Sequence, residues 1–176
     1  MLIAFAGPMG SGKSAVSRAL AARLDAKILS FGEYVRVCAR DRGLDAEDRT
    51  VLQDLGQMLV SADATTFVRD AVRWAGYQPG NRIIFDGIRH ETVWDAISAL
   101  GKQNAERALL IYLDVPAGER SDRLRARGIS VEAISAFNSH PSERDLKLRL
   151  LPKADIELDS RQQLSTLIDT ILRFLD

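Results

Sequence analysis

Eight residues near the start of the chain combine glycines, a lysine and a serine at a spacing that suits phosphate binding. The segment is Gly7-Pro8-Met9-Gly10-Ser11-Gly12-Lys13-Ser14, which fits the pattern G-x-x-x-x-G-K-[ST]. Glycines let backbone N–H groups converge on phosphate oxygens at a helix N-terminus, while the lysine neutralises the β- and γ-phosphates and the serine ligates Mg²⁺. We predict a site for a nucleoside triphosphate and Mg²⁺, in which Lys13 is also catalytic; the loop by itself would suit ATPases, GTPases and kinases alike. The predicted nucleotide-binding residues are Gly7, Gly10, Ser11, Gly12, Lys13 and Ser14.

A second chemical group is an aspartate that follows an apolar run. Residues 82–85 predict a buried strand, and Asp86 stands at its carboxyl end. An acidic residue at the end of a strand beside a phosphate loop can hold Mg²⁺ or a water bound to it. We therefore predict that Asp86 is catalytic and shares the metal with Ser14. A surface aspartate that caps a turn would give the same local sequence.

Two arginines stand just past the carboxyl ends of predicted strands. Arg36 follows the second strand and Arg89 follows the third. A guanidinium group in either place could clamp the phosphate of an acceptor molecule in line with the γ-phosphate. We predict that Arg36 and Arg89 bind the substrate, whereas the alternative for each is a solvated helix arginine.

A further set of arginines falls in a predicted lid. Pro116 opens a helix on which Arg120, Arg123 and Arg127 share roughly one face. Closure of this helix over the triphosphate would place positive charge on the transferring group. We predict catalytic roles for Arg123 and Arg127, although a basic helix face is often only solvated. Three further arginines are left open as phosphate contacts: Arg120, Arg144 and Arg149.

The elements that position these residues alternate along the chain. Strands are predicted at 2–6, 27–30, 82–85, 108–113 and 155–158. Helices are predicted at 13–24, 33–42, 47–74, 92–100 and 162–175, together with one that begins at Pro116 and one that ends at about Leu150. The helix at 47–74 is expected to break near residues 61–63. The polar stretch from Gly128 to Pro141 is expected to be the most mobile segment. Alternating strands and helices imply a parallel sheet that binds ligands beyond its carboxyl ends.

The expected fold class is α/β, a P-loop NTPase with three α/β/α layers, a five-stranded parallel sheet and a short helical lid. One domain of 176 residues is expected. Its core comprises 1–30, 78–115 and 150–176, its acceptor-binding helical region about 31–77, and its lid about 117–149.

The composition narrows the class of partner. The chain has 24 basic and 24 acidic residues, so a general affinity for nucleic acid or for acidic membranes is not expected. Cys38 is the single cysteine, which excludes an internal disulfide and fits a reducing cytoplasm. No run of 18 apolar residues and no signal-peptide pattern occurs. We expect a cytoplasmic protein whose partner is a small phosphorylated molecule.

Three segments resemble the adenylate kinase-like nucleoside monophosphate kinase family. Ser30-Phe31-Gly32-Glu33-Tyr34-Val35-Arg36 is similar to the family's S-T-G-D-M-L-R, and Asp86-Gly87-Ile88-Arg89 to its D-G-F-P-R with one residue missing. Leu113-Asp114-Val115-Pro116, followed by Arg123 and Arg127, matches the family's D-V-P segment and its two lid arginines. The resemblance implies transfer of the γ-phosphate of ATP to a nucleoside or deoxynucleoside monophosphate, with Arg36 gripping the acceptor phosphate.

Other functions remain open from the sequence. The D-G-I-R form also resembles kinases related to dephospho-coenzyme A kinase, which would change the acceptor and keep the chemistry. A partner-regulated P-loop ATPase would use the same phosphate loop but would leave the acceptor arginines without a purpose. Phosphorylation of nucleic-acid ends is disfavoured by the zero net charge.

Overall fold

A five-stranded parallel sheet forms the centre of the protein, in a computed structural model that describes residues 1–139 and 146–175. The strand order is β2-β3-β1-β4-β5, and every neighbouring pair is parallel. This confirms the predicted α/β fold with its five parallel strands. The strands are β1 (Leu2–Ala6), β2 (Lys27–Ser30), β3 (Ile83–Ile88), β4 (Ala108–Asp114) and β5 (Ile156–Asp159).

Helices connect the strands and cover both faces of the sheet. A π-helical turn at Leu146–Leu150 and a 3-10 turn at Leu151–Lys153 precede β5. The α-helices are α1 (Lys13–Leu24), α2 (Phe31–Asp41), α3 (Arg49–Trp74), α4 (Glu91–Gln103), α5 (Ala117–Ala126), α6 (Val131–Ser139) and α7 (Leu164–Leu175).

The central strand β1 divides the core into two layers. All five of its residues are buried, as expected for a strand covered on both faces. Because side chains alternate along a strand, Leu2, Ala4 and Ala6 pack with α2, α3 and α4, while Ile3 and Phe5 pack with α1 and α7. The carboxyl end of β1 is therefore held rigidly from both sides, and the phosphate loop follows it directly.

Helix α3 bends where the sequence predicts a break. Asp63 is extended, with φ −165° and ψ 100°. Its carboxylate accepts hydrogen bonds from the backbone N–H groups of Thr65 and Thr66 at 2.9 and 3.0 Å, as an N-cap does. The second half of α3 thus begins as a separately capped helix, and the prediction is confirmed.

One strand boundary is corrected, and one stretch predicted without regular structure contains a helix. Strand β3 continues past the predicted end at residue 85, so Asp86 lies inside it. The segment expected to be the most mobile contains helix α6, in which Ile134 is buried and the Ser130 hydroxyl accepts a hydrogen bond from the Ala133 N–H at 3.2 Å. Ser130 thus caps a short helix that Ile134 anchors by an apolar contact. No helix in the described part of the chain is long and apolar enough to cross a membrane.

Candidate active site

The phosphate loop passes so close to β4 that its first residue must be glycine. Gly7 has a φ of 136°, and a Cβ placed on it would lie 2.3 Å from the carbonyl oxygen of Leu113. A side chain would therefore meet backbone that cannot move aside. Because β4 pairs directly with β1, this contact fixes where the loop leaves the sheet.

Helix α1 begins without a side-chain cap in the described structure. Gly12 is its N-cap residue, with φ 89°. By contrast, Ser30 accepts from the Glu33 N–H at the start of α2, and Asp48 accepts from two N–H groups at the start of α3. No side chain therefore competes with an anion for the first turn of α1 and the positive end of its helix dipole, at the loop where the sequence predicts phosphates.

The predicted lysine lies within the loop. Lys13 Nζ donates to the carbonyl oxygens of Gly7 and Pro8, both at 2.7 Å, and to the hydroxyl of Ser11 at 3.3 Å. The Ser11 side chain is fully buried beneath the loop and lies near the Cβ direction of Gly7. The Lys13 ammonium is thus held inside the loop by oxygen atoms of the loop itself.

Ser14 on helix α1 contacts Asp86 on strand β3. Asp86 lies opposite Phe5 in the pairing of β1 and β3, which brings it beside the first turn of α1. The Ser14 hydroxyl donates to Asp86 Oδ2 at 2.7 Å. Asp86 Oδ1 is buried and accepts no hydrogen bond from any residue that the structure describes. A buried carboxylate oxygen without a donor is costly unless a cation or a water completes it.

These two side chains fit the predicted magnesium site. Mg²⁺ is bound in such sites by a hydroxyl, one or two carboxylates, water and substrate phosphates rather than by a cage of protein ligands. The described residues contain no group of three His, Cys, Asp or Glu side chains that could hold a metal ion alone. Ser14 and Asp86 would therefore need phosphate oxygens to complete the coordination.

A first cavity of about 310 Å³ lies over the phosphate loop. It is lined by loop residues and by three arginines from separate parts of the chain, Arg18, Arg89 and Arg127. Arg89 and Arg127 were predicted, whereas Arg18 was not, because its position on α1 gives no signal beyond an exposed helix face. The loop residues that line the cavity include Gly10, Gly12, Lys13 and Ser14.

A second cavity of about 240 Å³ opens beside the first, between α2, the first half of α3 and the end of β3. Arg36, Arg49 and Arg89 line it. Arg36 Nη1 pairs with Glu33 Oε1 at 2.6 Å, one helical turn away. Arg49 was missed by the sequence argument, and its one local signal is a position directly after the N-cap of α3. Met9 and Arg89 line both cavities, so the two cavities adjoin at these residues.

The arginines of the predicted lid have separate environments. Arg127 lines the first cavity, over the phosphate loop, but Arg123 is not among the residues that line it. Instead, Arg123 donates to the hydroxyl and the backbone oxygen of Ser160 at 3.0 and 2.9 Å. Arg120 lies beside the phosphate loop, with its Cγ 3.2 Å from a Cβ placed on Gly10. The structure therefore brings Arg127 to the loop and places Arg123 against the segment that follows β5.

Arg149, the next lid candidate, is not among the residues that line the cavity over the phosphate loop. Arg149 pairs with Glu91 at 3.7 Å, where Lys153 also contacts Glu91 at 2.7 Å. Hydrogen bonding by Lys153 lowers the pKa of Glu91. Arg144 lies outside the described residues.

The segment after β5 carries its own ion pair beside Arg123. Asp159 and Arg161 form several hydrogen bonds, which lower the pKa of Asp159 to about 2. The backbone N–H of Ser160 donates to the backbone carbonyl oxygen of Asp114 at 3.0 Å, so this segment is bound to the end of β4. Arg123 thus contacts a fixed loop at the same edge of the sheet as the phosphate loop.

Comparisons with known proteins agree on the family. A family model described as an AAA domain, AAA_18, matches residues 3–144. The cytidylate kinase of Rhodococcus jostii (strain RHA1) is 32% identical over 169 residues, which are 90% of this chain and 62% of that protein. The cytidylate kinase of Nocardia farcinica (strain IFM 10152) is 30% identical over 93% of this chain and 67% of its own length. This chain thus spans about 62% of the first of these relatives.

Solved structures share the fold at lower identity. A shikimate kinase from Acinetobacter baumannii, in complex with shikimate, has a TM-score of 0.64 and 18% identity over 99% of this chain and 92% of its own. A deoxyadenosine kinase from M. mycoides, with products dCMP and a flexible dCDP bound, has a TM-score of 0.57 and 18% identity over 99% and 98%. Both support the P-loop kinase fold.

Proposed function

This chain belongs to the AAA_18 family and has the P-loop kinase fold, and we propose that it transfers the γ-phosphate of ATP to a nucleoside or deoxynucleoside monophosphate. The observation that carries this proposal is the pair of adjoining cavities. One contains the phosphate loop, the other is lined by three arginines, and Arg89 lines both. A phosphate donor and an anionic acceptor would meet at Arg89.

The second cavity, lined by Arg36, Arg49 and Arg89, is called the acceptor cavity from here on. Its lining favours a phosphate over a hydroxyl group as the nucleophile. Transfer to a hydroxyl is helped by a side chain that removes its proton, usually a carboxylate or a histidine. Among the described residues that line this cavity there is no aspartate or glutamate, while Arg36, Arg49 and Arg89 supply positive charge. An acceptor phosphate is already an anion and needs positioning rather than a strong base. His90 also lines the cavity and could take a proton from a hydroxyl acceptor, so the preference for a phosphate rests on the three arginines.

The residues of the loop cavity would act on the donor. Backbone N–H groups at the start of α1 and the Lys13 ammonium would bind the β- and γ-phosphates, and Ser14 with Asp86 would hold Mg²⁺. Bound Mg²⁺ would neutralise charge on the transferring phosphoryl group. Arg127 would approach the same oxygens from the lid. The predicted catalytic contact of Arg123 would require its guanidinium to leave Ser160, so we assign it the smaller role.

Cytidylate is the first acceptor to test. The relatives named cytidylate kinase cover almost the whole chain at about 30% identity, which supports a pyrimidine nucleotide as the acceptor. Dephospho-coenzyme A stays as the alternative small acceptor, because the D-G-I-R segment admits it.

Coupled ADP production from Mg-ATP tests this function directly. The panel comprises CMP, dCMP, UMP, AMP, GMP and dephospho-coenzyme A, with Lys13→Ala as the control for phosphate-loop chemistry. We expect one monophosphate to stimulate ADP production strongly and Lys13→Ala to lose about 10²-fold or more of that rate. A low basal rate that no acceptor stimulates would contradict the proposal and favour a partner-regulated ATPase.

A further inference from the structure

One face of helix α3 forms a wall of the acceptor cavity. The residues on this face recur at helical spacing, so their side chains point the same way. They range from a charged residue at the helix start to apolar residues further along. The wall consists of Arg49, Leu52, Gln53, Gly56, Gln57 and Val60.

Gly56 is the residue in this wall that the fold does not explain. It lies inside a helix, where glycine is less stable than alanine by about 1 kcal/mol. A Cβ placed on it would lie 3.6 and 3.9 Å from the two methyl groups of Val35, which is ordinary van der Waals contact. By comparison, a Cβ on Gly101 in α4 would lie 2.9 Å from the Glu106 carbonyl oxygen, so packing requires that glycine. An alanine at position 56 would fit the protein.

What an alanine at position 56 would change is the cavity. Gly56 lines it together with amide side chains one turn before and one residue after, Gln53 and Gln57. Gln57 Nε2 donates to the Ser61 hydroxyl at 2.9 Å, which orients its amide along the helix. Phe31 and Phe67, whose rings stack at 5.3 Å between centroids, line the same cavity. The cavity therefore combines flat apolar surface, amides and one stretch of bare helix backbone.

We propose that the ring of the acceptor lies against Gly56 and that the amide of Gln53 binds the polar edge of this ring. This inference rests on the proposed function, because it places the ring in the cavity whose arginines would take the phosphate. A planar heterocycle suits such a site, since its faces need apolar contact and its edge needs donors and acceptors. Gly56 then sets how deep the ring enters, and Gln53 selects among rings by their edges.

A pair of glycine-to-alanine variants tests the role of Gly56. Gly118 in α5 is the matched control, because it is also helical, has nothing within 4 Å of a placed Cβ and does not line the cavity. The dissociation constant of each nucleoside monophosphate is measured by calorimetry without ATP, beside the melting temperature. We expect Gly56→Ala to raise the melting temperature by about 2–4 °C and to weaken binding about tenfold or more, as a methyl group in a filled pocket does.

Gly118→Ala should also raise the melting temperature and leave acceptor binding as in the wild type. Gln53→Met, which keeps the side-chain length and removes the amide, should weaken binding of the preferred monophosphate more than that of the others. If Gly56→Ala stabilised the protein yet bound the acceptor within about threefold of wild type, below the expected effect of a methyl group, the inference would be wrong. It would also be wrong if the wild type bound no monophosphate.

Binding and turnover separate this inference from the proposed function. A wild-type protein that binds a monophosphate and transfers no phosphate to it contradicts the proposed function. The variants then still decide whether Gly56 and Gln53 form the ring site, because their readout is binding alone.

Discussion

The two ends of the parallel sheet each contain a partly buried carboxylate, and these carboxylates are bound in opposite ways. At the amino ends of the strands, Glu106 accepts from the Met1 ammonium at 2.7 Å, from the Gly80 N–H at 3.2 Å and from the Tyr77 hydroxyl. At the carboxyl ends, Asp86 accepts from Ser14 through one oxygen, while its other oxygen is buried without a donor among the described residues.

The contrast shows how one sheet separates stability from function. Glu106 has a side chain only 8% exposed, and its surroundings satisfy both oxygens. Burial alone would raise the pKa of Glu106, but the hydrogen bonds from the N-terminus, Tyr77 and Gly80 together lower it. Asp86 keeps unsatisfied capacity at the end where a parallel sheet binds ligands. An unsatisfied polar group is tolerated where a ligand completes it.

The same carboxylate-to-amide change at both ends should therefore have opposite consequences, and Asp86→Asn should have the largest effect on activity. An amide holds Mg²⁺ more weakly than a carboxylate, so we expect acceptor-stimulated ADP production to fall about 10³-fold. The melting temperature should stay the same or rise, because a buried charged oxygen without a donor is removed. A lower melting temperature with activity retained would show that Asp86 serves stability and not the reaction.

A similar contrast exists between the two arginines of the predicted lid, and it gives the next largest expected effect. Arg127 lines the first cavity, over the phosphate loop, whereas Arg123 is held by Ser160. We expect Arg127→Ala to lower kcat about 10²-fold and Arg123→Ala about tenfold or less, as the loss of charge stabilisation directed at the transferring group implies. Steady-state kinetics with the acceptor at saturation measures both. Equal losses in the two variants would show that Arg123 leaves Ser160 during turnover.

Glu106→Gln should reduce stability and leave the chemistry alone. The neutral amide weakens charge-assisted hydrogen bonds that are largely shielded from water, so we expect a loss of about 2 kcal/mol in the free energy of unfolding. Thermal unfolding should then show a melting temperature about 4–8 °C lower. Below the unfolding transition, kcat per folded molecule should equal that of the wild type. A lost kcat in a folded Glu106→Gln protein would mean that the two ends are coupled.

The smallest expected effect is a change with pH in the stability difference between wild type and Glu106→Gln. Because the pKa of Glu106 is lowered in the folded protein, its contribution is present above the unfolded value of about 4.5 and is lost as the pH falls through the folded value. Wild type should therefore lose stability faster than Glu106→Gln below pH about 4.5. Denaturant unfolding of both proteins from pH 6 to 3 measures the difference between their free energies of unfolding, which should narrow as the pH falls. A gap that stays constant would show that Glu106 does not titrate with folding.

Most of the fold followed from local patterns in the sequence. The five predicted strands are all present because each is a short run followed by a turn or helix signal. The central strand β1 is buried throughout, whereas the edge strands β2 and β5 each bury a single residue. The break at Asp63 was predicted because the residue starts a new helix by capping it. Helix α6 was missed although five of its nine residues are apolar, because its serines and asparagine are typical of a loop. Strand β3 was predicted too short because Asp86 and Gly87 are poor strand formers. Pairing with β1 and β2 holds Asp86 in the strand, and Ile88 pairs with Ala6 beyond the unpaired Gly87.

The site divides in the same way. The sequence by itself determined the phosphate loop, since Gly7, Lys13 and Ser14 are neighbours in the chain and their chemistry depends on local backbone geometry. The tertiary structure decided which distant residues join them. It put Asp86 beside Ser14 through strand pairing, separated Arg123 from Arg127 and brought Arg49 and Gly56 to the cavity proposed for the acceptor. Such contacts are set by how helices pack on the sheet, which spacing along the chain does not encode.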